Sequence, residues 1–256
     1  MKSVTELSVI IPNYNYAQYL KECIDSVAAS DFDHSRMEII VVDDVSTDGS
    51  LRLLNKLKEG TDIPFHIIVQ PVNLGLAKAR NTGIKAAKGK YLFFLDSDNY
   101  IRKECLRIHC EHLKKDKEAA ACYAPIQKFN DQSREMLGIF SNELFDYNKL
   151  KTGNYIDAMS MIRKSDLVEQ GLFDERMPHS GWEDYELWLR FGSHDKKMLF
   201  LEGEPLSYYR MHDDSMLNTI TDTDSEILCT YLNQKYNLSL RKTTGSTIPP
   251  NAMIFT

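Results

Sequence analysis

Residues 91–99 read YLFFLDSDN, a run of apolar side chains followed at once by polar and acidic ones. Residues 7–11, 38–42 and 65–69 repeat this pattern, because each run is nearly continuous in apolar residues and ends in polar ones. Such runs are typical of strands that are covered on both faces, as in parallel sheets. Helical patterns separate them, so this part of the chain predicts a Rossmann-like, mostly parallel α/β sheet flanked by helices.

The rest of the chain is less regular. We expect a mixed stretch before residue 171, and more definite helices and strands at 102–115 (helix), 119–129 (strand), 183–191 (helix) and 198–209 (strand).

The whole is predicted to form one main domain, residues 1–224, with a nucleotide-binding half at about 1–100 and a smaller acceptor-side half at about 101–224. Residues 225–256 are expected to form a short C-terminal helix and then a mobile polar tail from residue 242.

Composition narrows the class of protein. The chain has 256 residues and is 43% hydrophobic, enough for a large α/β domain. A net charge of -6 without a dense Lys/Arg block argues against nucleic acid or an anionic membrane as partner. Five cysteines without a CxxC pair favour reduced thiols. Since neither a secretory signal nor a long apolar run occurs, we expect a soluble, cytoplasmic protein without a transmembrane segment. Oligomeric state and peripheral membrane association stay open.

The triplet Asp96-Ser97-Asp98 follows the apolar run directly. In an extended chain, residues two apart face the same side, roughly 6 to 7 Å from each other. Two carboxylates at a sheet edge suit Mn²⁺ or Mg²⁺, and a diphosphate is the natural further ligand. The alternative is an Asx-rich turn that ends the strand.

Polar residues also follow two earlier strands, and ligands bind at this edge of open α/β sheets. Asp44 can accept hydrogen bonds from a uracil imide or from ribose hydroxyls, although capping of the next helix is an alternative. Pro12, Tyr14 and Asn15 offer a rigid bend and a ring that can stack on a base, but they are also ordinary turn residues.

Residues 73–83, NLGLAKARNTG, span a predicted strand-to-helix junction. Free helix N–H groups, together with Asn73, Lys78 and Arg80, can hold phosphate or ribose there. The alternative is that both cations are solvated charges on the helix surface.

Two further motifs carry candidate chemistry in the second half. Glu183 and Asp184 open a helix, where capping accounts for one carboxylate and leaves the other as a candidate catalytic base. His212, in YYRMH, can complete a metal shell or contact a diphosphate, whereas a lone histidine is more often an ordinary residue.

A zinc site is the rival metal hypothesis. Cys105, His109 and His112 share one face of a predicted helix, as zinc ligands can. A fourth ligand at suitable spacing is missing, so the favoured interpretation is a partly buried helical face.

In order along residues 7–212, the motifs resemble those of the inverting glycosyltransferases of family 2, which share the GT-A fold. The matching runs are SVIIPNYN, VVDDVSTDGS, NLGLAKARNTGIKAAKGKYLFFLDSDN, GLFDE, GWEDYELWLR and YYRMH.

The resemblance implies a role for each matching position. Pro12, Tyr14 and Asp44 are expected to hold the nucleoside, with Asp44 on the base. Asp96 and Asp98 match the DxD element, in which Asp98 binds the metal directly and Asp96 reaches ribose or metal-bound water.

Asp184 matches the proposed base of this family, and His212 matches a position associated with the metal and diphosphate. The implied reaction is a metal-dependent in-line displacement that moves a sugar from a nucleotide-diphosphate donor, expected to be a UDP-sugar, and inverts its linkage. Val45 and Asn99 depart from the residues usual in this family, and the Val45 departure leaves the nucleotide-side loop less defined.

The chain lacks the membrane spans and processivity motifs of polymerising synthases. A single addition to a glycan, lipid-linked or other hydroxyl acceptor is therefore expected, in capsule or cell-surface polysaccharide synthesis. A sugar-phosphate nucleotidyltransferase needs a Gly-rich basic loop where residues 12–15 read PNYN, so it is disfavoured. A non-catalytic nucleotide- or glycan-binding module on the same fold is the other alternative.

Overall fold

The computed structural model describes residues 4–213, 215 and 222–241. Its strands, in chain order, are β1 (Leu7–Asn13), β2 (Met37–Asp43), β3 (Phe65–Val69), β4 (Tyr91–Phe94), β5 (Tyr100–Ile101), β6 (Ala119–Tyr123), β7 (Ile126–Asn130), β8 (Met136–Phe140), β9 (Met161–Arg163), β10 (Lys197–Phe200) and β11 (Ser207–Met211). The α-helices are α1 (Ala17–Ala28), α2 (Ser50–Glu59), α3 (Leu76–Ala86), α4 (Cys105–Lys115), α5 (Tyr147–Leu150), α6 (Lys164–Glu169), α7 (Glu183–Ser193) and α8 (Asp222–Tyr236).

The main sheet has seven strands in the order β10-β6-β9-β4-β1-β2-β3. All its pairings are parallel except those of β9, which runs antiparallel to β4 and to β6. Every residue of β1, β2 and β4 is buried, as the continuous apolar runs require. The predicted mostly parallel α/β sheet is confirmed, and β1 to β4 lie within two residues of their predicted bounds.

Helices cover both faces of this sheet, with a separate apolar core on each side. On one face, α1 packs Leu20, Ile24 and Val27 inward. On the other, α3 approaches β1 so closely that a Cβ at Gly83 would lie 2.5 Å from Ile10 Cγ2. This close approach holds α3 tightly against β1 and β2.

Four strands form a second sheet in the order β5-β11-β7-β8, and two predicted strands are therefore wrong. The single strand expected at 119–129 is two strands, β6 and β7, separated at Ala124 and Pro125. The strand expected at 198–209 is likewise two, β10 and β11, with Pro205 and Gly203 at φ +137° between them. Proline interrupts the hydrogen-bond ladder in both places, so each run crosses from the main sheet to the second sheet.

The expected helix at 102–115 begins at Cys105, because the backbone N–H of Arg102 still donates to Leu206 O at 2.9 Å. The mixed stretch before residue 171 contains β8, α5, β9 and α6.

The predicted C-terminal helix corresponds to α8, which buries Leu228 and Leu232. Its Lys235 Nζ reaches Glu186 Oε1 at 2.7 Å. The predicted mobile tail, 242–256, lies outside the described residues. Within the described ranges, no helix is both long and apolar enough to cross a membrane.

Candidate active site

The carboxyl ends of β1, β2 and β4 meet at a cleft of about 310 Å³. Predicted ligand-binding residues from four separate motifs come together there. The lining consists of Pro12, Asn13, Tyr14, Tyr16, Asp44, Asn73, Gly75, Leu76, Ala79, Asp96, Ser97, Asp98, Asn99, Ser180 and Tyr209. The lining does not include six of the predicted site residues, namely Asn15, Lys78, Arg80, Glu183, Asp184 and His212.

Asp44 supports one wall of the cleft. Its Oδ1 accepts the N–H of Leu74 and its Oδ2 accepts the N–H of Gly75, both at 2.8 Å, so it fixes the turn into α3. A carboxylate oxygen can accept a second hydrogen bond, and Asp44 therefore keeps capacity for a ligand. The Tyr14 ring is 48% exposed and is free to stack on a planar group.

Asn15 and Val45 shape the loops behind this wall, and both have left-handed backbone conformations, with φ of 57° and 68°. Asn15 Oδ1 accepts the Thr47 N–H at 2.7 Å, so its side chain braces the loop after β2. A positive φ is strained for a β-branched residue. Val45 therefore adopts a strained backbone in the nucleotide-side loop, where its sequence departs from the family pattern.

Arg80 is buried and forms an internal ion pair. Its Nη2 donates to Asp96 Oδ1 at 2.8 Å, and its guanidinium lies 5.3 Å from the centre of the Phe173 ring. The same charge attracts the carboxylates of Glu183 and Asp184. The solvated-charge interpretation is therefore wrong for Arg80, which is only 2% exposed, whereas Lys78 is partly exposed.

Asp98 is the residue best suited to a cation. Its Oδ2 lies 3.1 Å from His212 Nε2. Its Oδ1 is buried and has no hydrogen-bond partner among the described residues. Burial raises the pKa of Asp98, the hydrogen bond from His212 opposes that rise, and repulsion from Asp96 adds to it. A divalent ion would satisfy the unpaired oxygen and remove the electrostatic cost.

Only two of the three predicted metal ligands contact each other. Asp98 and His212 are in contact, while Asp96 is engaged by Arg80. Among residues 4–213, 215 and 222–241, no three His, Cys, Asp or Glu side chains form a metal site on their own. Two protein ligands nevertheless suit Mn²⁺ or Mg²⁺, which take waters and phosphate oxygens as further ligands.

Arg210 fixes the loop that carries Asp98, a role that sequence analysis missed. Its Nε donates to the backbone O of Asp98 at 2.7 Å, and its guanidinium also pairs with Glu22 and Asp131. The backbone N–H of Arg210 donates to Asn99 Oδ1 at 2.9 Å. An amide oxygen at position 99 thus holds this loop to β11, which gives the departure at Asn99 a structural role.

Asp184 and Glu183 begin α7 but differ in their surroundings. Glu183 is buried, and its Oε2 accepts the Gly181 N–H at 2.8 Å, so it holds the turn that leads into α7. Asp184 is partly exposed, and its Oδ2 accepts Asn154 Nδ2 at 3.3 Å. Burial raises the pKa of Asp184 to about 7, although attraction to Arg80 opposes the rise. Of the two, Asp184 has the properties of a proton acceptor near neutral pH.

The loop before β9 contributes two side chains that sequence analysis did not predict. Asn154 contacts Asp184 directly. Burial and repulsion from Asp184 and Asp96 raise the pKa of Asp157 well above its usual range. No sequence motif marks this loop. The sequence shows only that two polar residues, Asn154 and Asp157, precede the buried strand β9.

The zinc alternative is not supported by the described residues. His109 is buried, its Nδ1 bonds to the Cys105 carbonyl at 2.8 Å, and burial lowers its pKa to about 4. His112 is exposed and bonds instead to the Ile108 carbonyl. The favoured interpretation, a partly buried helical face, fits this geometry.

Comparison with solved structures identifies the fold as GT-A. Staphylococcus aureus TarS, residues 1–349 in complex with UDP-GlcNAc, superimposes with a TM-score of 0.69 at 20% identity over 92% of this chain and 74% of that one. The mannosyltransferase PcManGT from Pyrobaculum calidifontis, in complex with GDP-Man and Mn²⁺, gives 0.70 at 18% identity over 96% and 66%.

The sequence model of Glycosyl transferase family 2 matches residues 8–170, and the chain belongs to that family. The poly(ribitol-phosphate) beta-N-acetylglucosaminyltransferase TarS of Staphylococcus aureus is 37% identical over 102 residues, which are 40% of this chain and 18% of TarS. The chondroitin synthase of Pasteurella multocida is 29% identical over 234 residues, 90% of this chain and 23% of the synthase. The chain thus spans less than a quarter of either relative.

Proposed function

We propose that the chain is a metal-dependent, inverting glycosyltransferase that moves a sugar from a UDP-sugar to an acceptor hydroxyl during polysaccharide synthesis. The observation that carries the proposal is the cleft itself. It gathers Tyr14, Asp44, Asp96 and Asp98 at one sheet edge, with Asp184 beside the Arg80–Asp96 pair.

The proposed binding of the nucleotide-sugar donor follows from the residues that line the cleft. Tyr14 stacks on the base against Pro12, and the free acceptor capacity of Asp44 takes the imide N–H of uracil. Asn73 and Ser97 lie on the same lining, within reach of ribose or phosphate. The UDP-GlcNAc complex of TarS supports uridine as the nucleoside.

Asp98 and His212 would hold a divalent ion, and the Mn²⁺ complex of PcManGT supports this choice of cofactor. When bound, such an ion neutralises the charge that develops on the departing nucleoside diphosphate. Arg80 holds Asp96 in place, and Asp96 is left with one carboxylate oxygen for ribose.

Asp184 acts as the general base. It takes the proton of the acceptor hydroxyl while that oxygen forms a bond to the anomeric carbon from the face opposite the diphosphate. The bond between the anomeric carbon and the phosphate oxygen breaks, and its electron pair leaves with the nucleoside diphosphate. Because attack and departure are on opposite faces, the configuration inverts. Glu183 is assigned a positioning role, since its carboxylate accepts the Gly181 N–H and holds the turn before α7.

The test is release of UDP from a panel of UDP-sugars with Mn²⁺, with and without EDTA, at pH 8. We expect one donor to give metal-dependent release that falls at least about a hundredfold in Asp184→Asn, in line with loss of a general base. Asp146→Asn is the matched control, because Asp146 caps the short helix α5 away from the cleft. Absence of release from every donor would contradict the proposal, and pyrophosphate release from UTP and a sugar phosphate would instead favour a nucleotidyltransferase.

The remaining features of the proposal are a single addition per acceptor and a cytoplasmic location. Product analysis with the active donor distinguishes one added sugar from a polymer.

A further inference from the structure

The loop between α5 and β9 approaches the proposed base from the acceptor side. Asn154 donates to Asp184 Oδ2 at 3.3 Å. Three residues later, the carboxyl group of Asp157 is close enough to feel the charges of Asp184, Asp96 and Arg80, and it also acts on the Tyr209 hydroxyl. One short segment therefore supplies two side chains to the surroundings of the base.

Asp157 is firmly held through one half of its carboxyl group. Its Oδ1 accepts the N–H of Met159 at 2.8 Å, and its own N–H donates to Ser141 Oγ at 2.9 Å. Its backbone carbonyl accepts the Ser160 hydroxyl at 2.9 Å. Its Oδ2 receives no hydrogen bond from any residue that the structure describes.

The charge of Asp157 is not needed for this local structure. Asparagine or serine would accept the Met159 N–H equally well in such a turn, and neither would be repelled by two neighbouring carboxylates. Arg80, the cation that attracts Asp157, forms its hydrogen bond with Asp96. A carboxyl group in an unfavourable setting, with one oxygen unused, is typical of a residue that serves a ligand.

We propose that Asp157 Oδ2 binds a second hydroxyl group of the acceptor, next to the hydroxyl that Asp184 activates, and that the acceptor is a sugar or polyol. The inference rests on the proposed function and adds the chemical class of the acceptor to it. A carboxylate oriented by a backbone N–H is well suited to accept a hydroxyl hydrogen bond. No bond forms or breaks at Asp157, whose role is to orient the acceptor.

The charges near Asp184 restrict the class of acceptor further. Asp96 and Asp184 both repel the charge of Asp157, and Arg80 offsets part of this repulsion. A phosphate or carboxylate directly beside the attacking hydroxyl would be repelled. The acceptor therefore presents uncharged hydroxyl groups at the point of attack, whatever charges it carries elsewhere.

The test compares glycerol with 1-propanol as acceptors, using Mn²⁺ and the UDP-sugar that gives the fastest UDP release. The two alcohols have the same carbon count and differ in the neighbouring hydroxyl groups. We expect the wild-type kcat/KM for glycerol to exceed that for 1-propanol at least about tenfold, as a hydrogen bond to a charged group predicts. In Asp157→Asn, which keeps the bond to Met159, and in Asp157→Ala, this ratio should fall towards one through a higher KM for glycerol.

Two further measurements separate acceptor binding from a structural role. Calorimetric titration with UDP and Mn²⁺ should give each Asp157 variant a Kd within about twofold of wild type, which would show an intact donor cleft. Asp146→Asn removes a loop aspartate that likewise accepts backbone N–H groups, at Asn148 and Lys149, and should keep the wild-type ratio.

Equal use of glycerol and 1-propanol by the wild type, or an unchanged ratio in both Asp157 variants, would overturn this inference alone. A wild-type protein that releases no UDP with any donor or acceptor would overturn the proposed function instead.

Discussion

Replacing Arg80 by methionine removes a buried positive charge that acts on Asp96, Glu183 and Asp184. Methionine keeps an unbranched, apolar stem, so packing against Phe173 is largely retained. Loss of one partner of a buried ion pair typically costs about 3 to 5 kcal/mol. The Asp96 side chain is 28% exposed, so water offsets part of this cost. We expect the free energy of unfolding at pH 7 to fall by about 2 to 3 kcal/mol.

The same change should shift the pH dependence of the reaction. Asp184 must be deprotonated to act as base, and its pKa of about 7 is held down by attraction to Arg80. An opposite charge nearby lowers a carboxyl pKa by about 1 to 3 units. Without Arg80, the acidic limb of the profile of kcat against pH should move to higher pH by at least about one unit.

The assays are urea denaturation and UDP release between pH 5.5 and 9.5. Arg107→Met is the control, because Arg107 pairs with Asp31 at the surface and its loss should change stability by no more than about 1 kcal/mol. An acidic limb that stays in place in a folded Arg80→Met protein would refute the electrostatic link between Arg80 and Asp184.

Three further predictions concern single side chains. Folding raises the pKa of Asp184 to about 7, so the cost of burying this carboxyl group grows above about pH 4 and is complete above pH 7. Asp184→Asn should therefore be more stable to urea than wild type at pH 8, with a smaller difference at pH 5, and a wild type more stable than the variant at pH 8 would contradict this prediction. Gly83→Ala places a Cβ against Ile10 and should lower the melting temperature, through an overpacking cost of about 1 to 3 kcal/mol, and an unchanged value would count against the close helix–strand contact. Lys235→Met removes one of two cations paired with the buried Glu186, the other being Arg190, and should destabilise the protein by about 2 kcal/mol in urea. Lys196→Met should have a smaller effect because the carboxylate partners of Lys196 are more exposed, and equal effects would show that the α8 contact is weak.

The parallel half of the fold could be predicted because strands buried on both faces leave a direct trace in the sequence. The runs before Asp44 and Asp98 are nearly all apolar, and each ends in polar residues at the sheet edge. The second sheet could not be predicted in the same way. β6 and β7 are both largely buried and follow each other closely, so Pro125 was the main sign that the chain changes sheet.

Seven of the residues that line the cleft were predicted as site residues, but the contacts of the charged groups were not. Arg80 has the sequence setting of a solvated helix charge, but it is buried, lies over the Phe173 ring and pairs with Asp96. Asn154 reaches Asp184 from 30 residues away along the chain, through a loop without regular periodicity. Contacts of this kind depend on tertiary packing and leave no local pattern.

The proposed metal site is tested most directly by a calorimetric titration of UDP, with and without Mn²⁺, into the wild-type protein and into Asp98→Ala. If Asp98 and His212 hold the ion that binds the diphosphate, the wild type should bind UDP at least about tenfold more tightly with Mn²⁺, a difference of about 1.4 kcal/mol. Asp98→Ala should show the weak affinity under both conditions. Metal-dependent binding of unchanged strength in Asp98→Ala would show that Asp98 does not hold the ion.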